Sequence, residues 1–508
     1  MKKLINSILV GSLLFATACT KNFDDLNTDP NSVETVTPAM LATTLLIDIM
    51  HYGNTGYGFI SDNCLAKQMV WLESLADYNY NLLGRASLGG YKTLINANKM
   101  VELSDENNRA AYEALSLFVK SYKIFYYSMQ VGDVPYTDAL KGESGIIKPK
   151  YDTQEDVMIN LVNDLEKSSS LFGQASDFEG DPILGGNVHK WKKVVDAFRL
   201  KMLLYLSKKE SHSVLKVKER FAKIVAEGNL MESNEDNLQL VFSNKSGQIY
   251  PFNKSVSKHY MYSTISSIVV DSLKAYDDYR LFYFATPAKA LIESGLKADD
   301  KNAYVGLDLT KDFSELQDQN ADGKCCTLNA RYTDWVTGEP YVRVGYAEQC
   351  FILAEAVLRG WIEGDVDYYY GKGIRAAMEF IAQNTPNDVM YHFGKPITDE
   401  YIDSYLVQDI IKLKGDFNDK LRKIITQKYL AYYMQYPMDA YFEYRRTGYP
   451  ILPINPATNR NTDKNKIPVR WMYPIWEYDY NKESVEEAVK RQYNGLDDYN
   501  QLMWILKD

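Results

Sequence analysis

The strongest pattern of apolar and polar positions in the chain lies between Tyr341 and Phe380. Ala347, Phe351, Ala354 and Leu358 recur at i, i+4, i+7 and i+11, which is one apolar stripe on a helix. Glu363-Gly364-Asp365 then reads as a tight polar turn, with Gly364 free to take positive φ. Tyr369, Gly373, Ala376, Ala377 and Phe380 repeat the helical spacing beyond it. Small residues on both sides of the seam, Ala354 and Ala356 among them, let the two helices approach closely. A helical hairpin is predicted.

The same spacing runs through most of the chain. Thr37-Pro38 opens a capped helix over MLATTLLIDIM, with proline in the first turn. Tyr57 to Leu75 reads as helical, and residues 76–90 as a polar, aromatic loop. Helices follow over 91–104 and 108–130, the second amphipathic through Ala111, Leu115, Phe118, Tyr122 and Phe125. Pro135 stops it. Asp152 or Thr153 is placed to cap a helix carrying Val157, Leu161 and Leu165, with Glu155 and Asp156 favourable in its first turn. Lys190 to Ser207 aligns Trp191, Val194, Phe198 and Met202. Further helices are expected over 212–228 and over Lys420–Tyr436.

Residues 232–340 differ. They are rich in Asn, Asp, Ser and Gly, and no period is sustained. Short strands and loops are expected there, with Tyr279 to Phe284 the best strand candidate. The chain therefore reads as mainly α, a helical-hairpin scaffold of tetratricopeptide-like type with an irregular loop and short-strand region that faces the ligand. Residues 37–508 form one expected domain, the scaffold being 37–231 and 341–508.

The first residues follow another logic. Met1-Lys2-Lys3 is basic, Leu4 to Phe15 is apolar, and Ala16-Thr17-Ala18 precede Cys19, the layout of a secretory signal over residues 1–18. The apolar run is shorter than the ~20 residues of a membrane-spanning helix. Residues 19–36 read as a polar tether. A net charge of −10, spread along the chain, argues against nucleic acid as a partner. Cys64, Cys325, Cys326 and Cys350 form no C-x-x-C, so zinc and redox motifs are unsupported. Buried thiols are expected, with a disulfide of Cys64 or Cys350 the alternative. Forty tyrosines stand against five histidines, and tyrosine suits cores, interfaces and sugar sites alike.

Several stretches carry a family resemblance. "LAEAVLRGWIEGD" with "YYYGKGIRAAMEF", "GDVPYTDALKG", "PKYDTQEDVMINLVNDLE", "GGNVHKWKKVVDAFRLKMLLYLS" and above all "AYFEYRRTGYP" (440–450) resemble SusD/RagB-type proteins, as does the ending built on Ile467-Pro468-Val469-Arg470 and Tyr473-Pro474. These are surface nutrient-binding lipoproteins of Bacteroidetes-type bacteria. The residues before Cys19 likewise resemble a lipobox, which implies lipidation of Cys19 and an outer-membrane, surface-exposed location. The resemblance also implies a SusC-like TonB-dependent transporter as partner, and ligand contacts in the early loop and the central region.

Chemical motifs are sparse. No H-E-x-x-H, G-x-S-x-G or Walker motif occurs, and His51, His189, His212, His259 and His392 have no metal-ligand spacing. Glycosidases need two carboxylates about 5–10 Å apart. Glu348 and Glu355 share one helix face but define no cleft, and are expected to meet solvent or arginine. The chain is expected to be no enzyme. Asp318-Gln319-Asn320-Ala321-Asp322-Gly323 opens like a calcium loop, with Asp318, Asn320 and Asp322 as candidate ligands of a structural calcium. Asn329 stands at its twelfth position instead of the bidentate glutamate, and a polar surface turn is the simpler reading.

Pyranose rings pack their C–H faces on flat aromatics while Asn, Asp and Arg bind the hydroxyls. Aromatics in loops are therefore the ligand-binding candidates: Trp71, Tyr78, Asn79, Tyr80 and Arg85 in the early loop, Tyr250 near Pro251, and Tyr332 with Trp335. Trp191, Trp361 and Tyr429 lie on stripes and are expected in the core. Oligosaccharide is the expected ligand and oligopeptide the alternative. A surface hydrolase and a purely structural partner of the transporter are the competing readings.

Overall fold

The computed structural model describes residues 35–50 and 57–508. Seven helices build the first part: α1 (Pro38–Met50), α2 (Tyr57–Leu65), α3 (Tyr91–Leu103), α4 (Arg109–Val131), α5 (Gln154–Phe172), α6 (Val188–Tyr205) and α7 (Val217–Glu227). The expected caps form. Thr37 Oγ1 accepts from the Met40 amide at 3.3 Å, and Thr153 Oγ1 from the Asp156 amide at 3.1 Å. Neighbouring helices pack in turn, α3 on α4, α4 on α5 and α5 on α6. Leu115, Phe118, Phe125, Leu161, Trp191 and Phe198 meet in the core between them.

The hairpin forms as predicted, from α8 (Tyr346–Leu358) and α9 (Val366–Gln383). Gly364 takes φ 149° in the turn. A Cβ on Gly373 would stand 2.9 Å from the Phe351 ring, so glycine permits the close approach of the two helices. Helix α10 (Phe417–Ala431) packs on α8 and leads to α11 (Pro437–Thr447), and α12 (Lys482–Tyr493) lies near the chain end.

Helix α8 stands between two cores. Cys350, Leu353 and Ala356 join the core of the first helices. Phe351 and Ala354 join a second core with Ile265, Phe282, Phe284, Tyr332 and Tyr433. Glu348 and Glu355 do not face solvent. Glu348 and Asp439 receive the Lys201 ammonium at 2.9 and 3.0 Å. Arg446 pairs with Glu355 at 2.6 Å and Glu443 at 2.5 Å, and Lys428 with Glu443 at 2.6 Å. Burial raises the Glu355 carboxyl, but Arg446, Arg359 and Lys428 outweigh it and hold it at about 2.

The region 232–340 carries short elements. Strand β1 (Met69–Trp71) pairs antiparallel with β3 (Ser263–Ile265), β2 (Leu238–Leu240) with β6 (Tyr341–Val344), and β4 (Ala285–Thr286) with β5 (Thr327–Leu328). Three expectations are corrected here. The helix begun at Tyr57 ends at Leu65, because Lys67 turns to φ 59° and the chain goes on as β1. Tyr279 to Phe284 is not a strand. Residues Arg280–Phe284 are helical and buried on every side, so alternation carried no signal there. The stretch from Asp318 lies in a helix, Phe313–Ala321. All four described cysteines are buried and free, and Cys19 lies outside the described residues.

Candidate functional site

The irregular region forms a groove of about 410 Å³. One wall comes from the segment leading into β3, with Lys254, Tyr260 and Met261, and the other from Thr333 and Asp334 after the short helix Ala330–Thr333. Asn320 closes one end. The Lys254 ammonium reaches the Asp334 carboxylate at 2.5 Å and lies 5.8 Å from the Tyr260 ring centroid. Thr333 Oγ1 donates to Asp334 at 2.7 Å. Burial pushes the Asp334 carboxyl up, yet the bonds from Lys254 and Thr333 prevail and hold it below the usual carboxylate range. The groove thus offers a tethered cation, a carboxylate and an aromatic face on a floor set by β4, β5 and the second core. A larger cleft of about 580 Å³ beside α9 joins aliphatic walls in Leu406, Val407, Ile411 and Leu413 to a charged rim that includes Asp367, Lys372 and Arg375, with Lys372 4.9 Å from the exposed Tyr368 ring.

The sequence-predicted residues divide sharply. Trp71, Asn79, Tyr80, Tyr250 and Tyr332 are not exposed platforms; each is at most 3 % exposed. Asn79 Nδ2 donates to the Trp71 carbonyl at 2.8 Å, and the Trp71 ring lies 5.5 Å from His259 and 5.9 Å from Tyr262. Tyr80 donates to the Lys311 carbonyl at 2.9 Å. Tyr78, half-buried, accepts from Trp471 Nε1 at 3.1 Å, and Arg85 donates to the Tyr473 carbonyl at 2.6 Å. Tyr250 lies under Gly338, and Tyr332 packs in the second core with the Arg331 guanidinium 4.6 Å from its ring centroid. Trp335 is the one exposed aromatic among them, 40 % exposed and immediately after Asp334, and Arg85 is exposed as well.

Asp318, Asn320 and Asp322 are not brought together as a loop would bring them. Successive alternate positions on a helix point about 200° apart. Asn320 Oδ1 instead meets the Cys325 thiol at 3.6 Å, and Asp322 pairs with Lys324 at 2.7 Å. Among the described residues no cluster of three or more His, Cys, Asp or Glu could hold a metal ion. Trp191, Trp361 and Tyr429 are buried as expected. Lys254, Tyr260 and Met261 were missed. Their tract, Lys254 to Ser263, mixes aromatic and polar residues as the chosen loops do, but its pairing with 333–334 is tertiary.

The fold and its neighbours agree on ancestry. A family model described as SusD-like, starch-binding and associating with the outer membrane matches residues 30–474. The chain belongs to the SusD-like family. A SusD homologue from Bacteroides fragilis is 54 % identical, with a TM-score of 0.91 over 93 % of this chain and 100 % of its own. A second Bacteroides fragilis SusD homologue is 30 % identical, with a TM-score of 0.82 over the same shares. A chitin-binding protein, 22 % identical, shares the fold at a TM-score of 0.72 over 93 % of this chain and 100 % of its own. Among curated proteins none matches. No helix among the described residues of this SusD-like chain is long and apolar enough to cross a membrane.

Proposed function

We propose that this SusD-like protein is a non-catalytic capture protein, held at the outer-membrane surface by lipid on Cys19. It takes oligomeric nutrient, oligosaccharide in the first instance, and passes it to a SusC-like TonB-dependent transporter. The observation that carries this reading is the groove on the irregular region, where Tyr260 and the Lys254–Asp334 pair face one open space. A sugar ring packs on the tyrosine while its hydroxyls accept from the ammonium and donate to the carboxylate. The starch-binding description of the family supports the same ligand class. Retaining or inverting hydrolysis needs a second carboxylate and a proton donor. The lining holds Asp334, kept ionised by Lys254, which favours binding without bond cleavage.

Native mass spectrometry of the purified protein with oligosaccharide and oligopeptide pools tests the reading. Intact bound saccharide is expected, weakened in Tyr260→Ala, Lys254→Met and Trp335→Ala. Bound peptide in place of saccharide overturns the ligand, and trimmed products overturn the non-catalytic role.

A further inference from the structure

Another open cavity, of about 540 Å³, lies beside the short helix Arg280–Phe284 and shares no lining residue with the groove. Its aromatic element is Tyr279, half-buried and stacked on Tyr401 with ring centroids 3.9 Å apart and planes 10° from parallel. The Tyr401 hydroxyl accepts from the Tyr279 amide at 2.8 Å, and Phe282 meets the Tyr279 ring edge-on at 5.8 Å. The ring is held on several sides and cannot turn freely. Around it stand carboxylates and ammoniums in equal number: Asp277, Asp299 and Asp300 with Lys297, Lys301 and Lys395.

The ties on this rim are loose. Lys301 reaches Asp277 at 2.7 Å, but both side chains are largely exposed, and Lys395 reaches Asp299 only at 3.9 Å. Exposed ion pairs contribute little to stability, so a ligand hydroxyl can replace either partner at small cost. The Lys395 ammonium lies 5.7 Å from the Tyr279 ring centroid, where it could reach the hydroxyls of a ring seated on the tyrosine. With carboxylates and ammoniums in equal number, the rim carries no net charge that would favour a phosphate or sulfate ligand. None of the lining residues lies on a strand, so a peptide finds no edge to pair with.

We propose that this Tyr279 cavity is a second binding site for neutral oligosaccharide, separate from the Lys254–Tyr260–Asp334 groove. The inference rests on the capture reading for its ligand class, though not for its location. Two platforms on one irregular region would let a long saccharide be held at two points, or two chains at once. Holding at two points raises avidity without any new contact at either.

Isothermal titration with six-unit malto-, cello-, xylo- and chito-oligosaccharides on the purified protein tests it. Two sites are expected for at least one probe. Tyr279→Ala should weaken one of them about tenfold, the scale of a lost aromatic stack. Tyr279→Phe should restore it, and Lys395→Met should weaken it with the melting temperature unchanged. Tyr260→Ala should affect the other site alone. A single site, lost in Tyr260→Ala and untouched by Tyr279→Ala and Lys395→Met, overturns the second site and leaves the groove standing. A single site with the opposite response supports the Tyr279 cavity and removes the groove. Silence from every probe overturns both.

Discussion

The two cores on either side of α8 were built by different rules. The first is made of amphipathic stripes, and each helix brings residues to it at regular spacing. The second takes Tyr370, Ile374, Met378 and Ile381 from a stripe on α9, but adds Phe282, Phe284, Tyr332 and Tyr433 from short segments with no period. The comparison teaches where this protein keeps rigidity and where it keeps recognition. Short segments meeting at angles leave grooves with mixed lining, and surface loops on a rigid support are where binding usually sits.

The comparison breaks most directly at the buried charges around α8. Arg446→Met removes the partner of Glu355 and Glu443 while both stay buried, and should destabilise by about 3–5 kcal/mol in urea unfolding. Acid acts on the same point. Glu355 is held at about 2 in the folded chain against about 4.3 unfolded. Its contribution is therefore present above the unfolded value and is lost as pH falls from there toward 2. Unfolding midpoints measured between pH 5 and 2.5 should drop, and should drop less in a Glu355→Gln background. Gly373→Ala forces a methyl against Phe351 and should cost about 1–3 kcal/mol by overpacking. At the groove, Lys254→Met, at an exposed side chain, should move stability by no more than about 0.5 kcal/mol, as surface changes do, while weakening saccharide binding. If Lys254→Met proves as destabilising as Gly373→Ala, the division between rigid and recognising parts fails.

The same division decided what could be read from the amino-acid sequence. Val157, Leu161, Trp191 and Phe198 declare their helices because burial on one face imposes a period. Gly364 and Thr153 declare their turn and cap because few other residues do those jobs. Trp71, Tyr80 and Tyr332 carry no such mark. An aromatic in a polar loop looks the same whether a sugar or a neighbouring segment covers it. Here Trp71 is covered by the very tract, His259 to Tyr262, whose own Tyr260 faces the groove. The D-x-N-x-D spacing from Asp318 reads the same in a loop and on a helix. Oxygens at alternate positions converge in a loop and diverge on a helix.

One tie reaches further than its strength suggests. The early loop that holds Tyr78, Tyr80 and Arg85 is fastened to residues near the end of the chain. Arg460 donates from its amide to the Tyr80 carbonyl at 2.8 Å and from its guanidinium to Asp77 at 2.6 Å, while Arg85 reaches Tyr473. Contacts between residues almost four hundred positions apart close late, because loop-closure entropy comes due before they form. A growing chain must therefore carry an unfinished loop until the residues from Arg460 onward have appeared. Stopping synthesis before Arg460 should leave that early loop cleavable by protease, an injury at one end caused by an absence at the other.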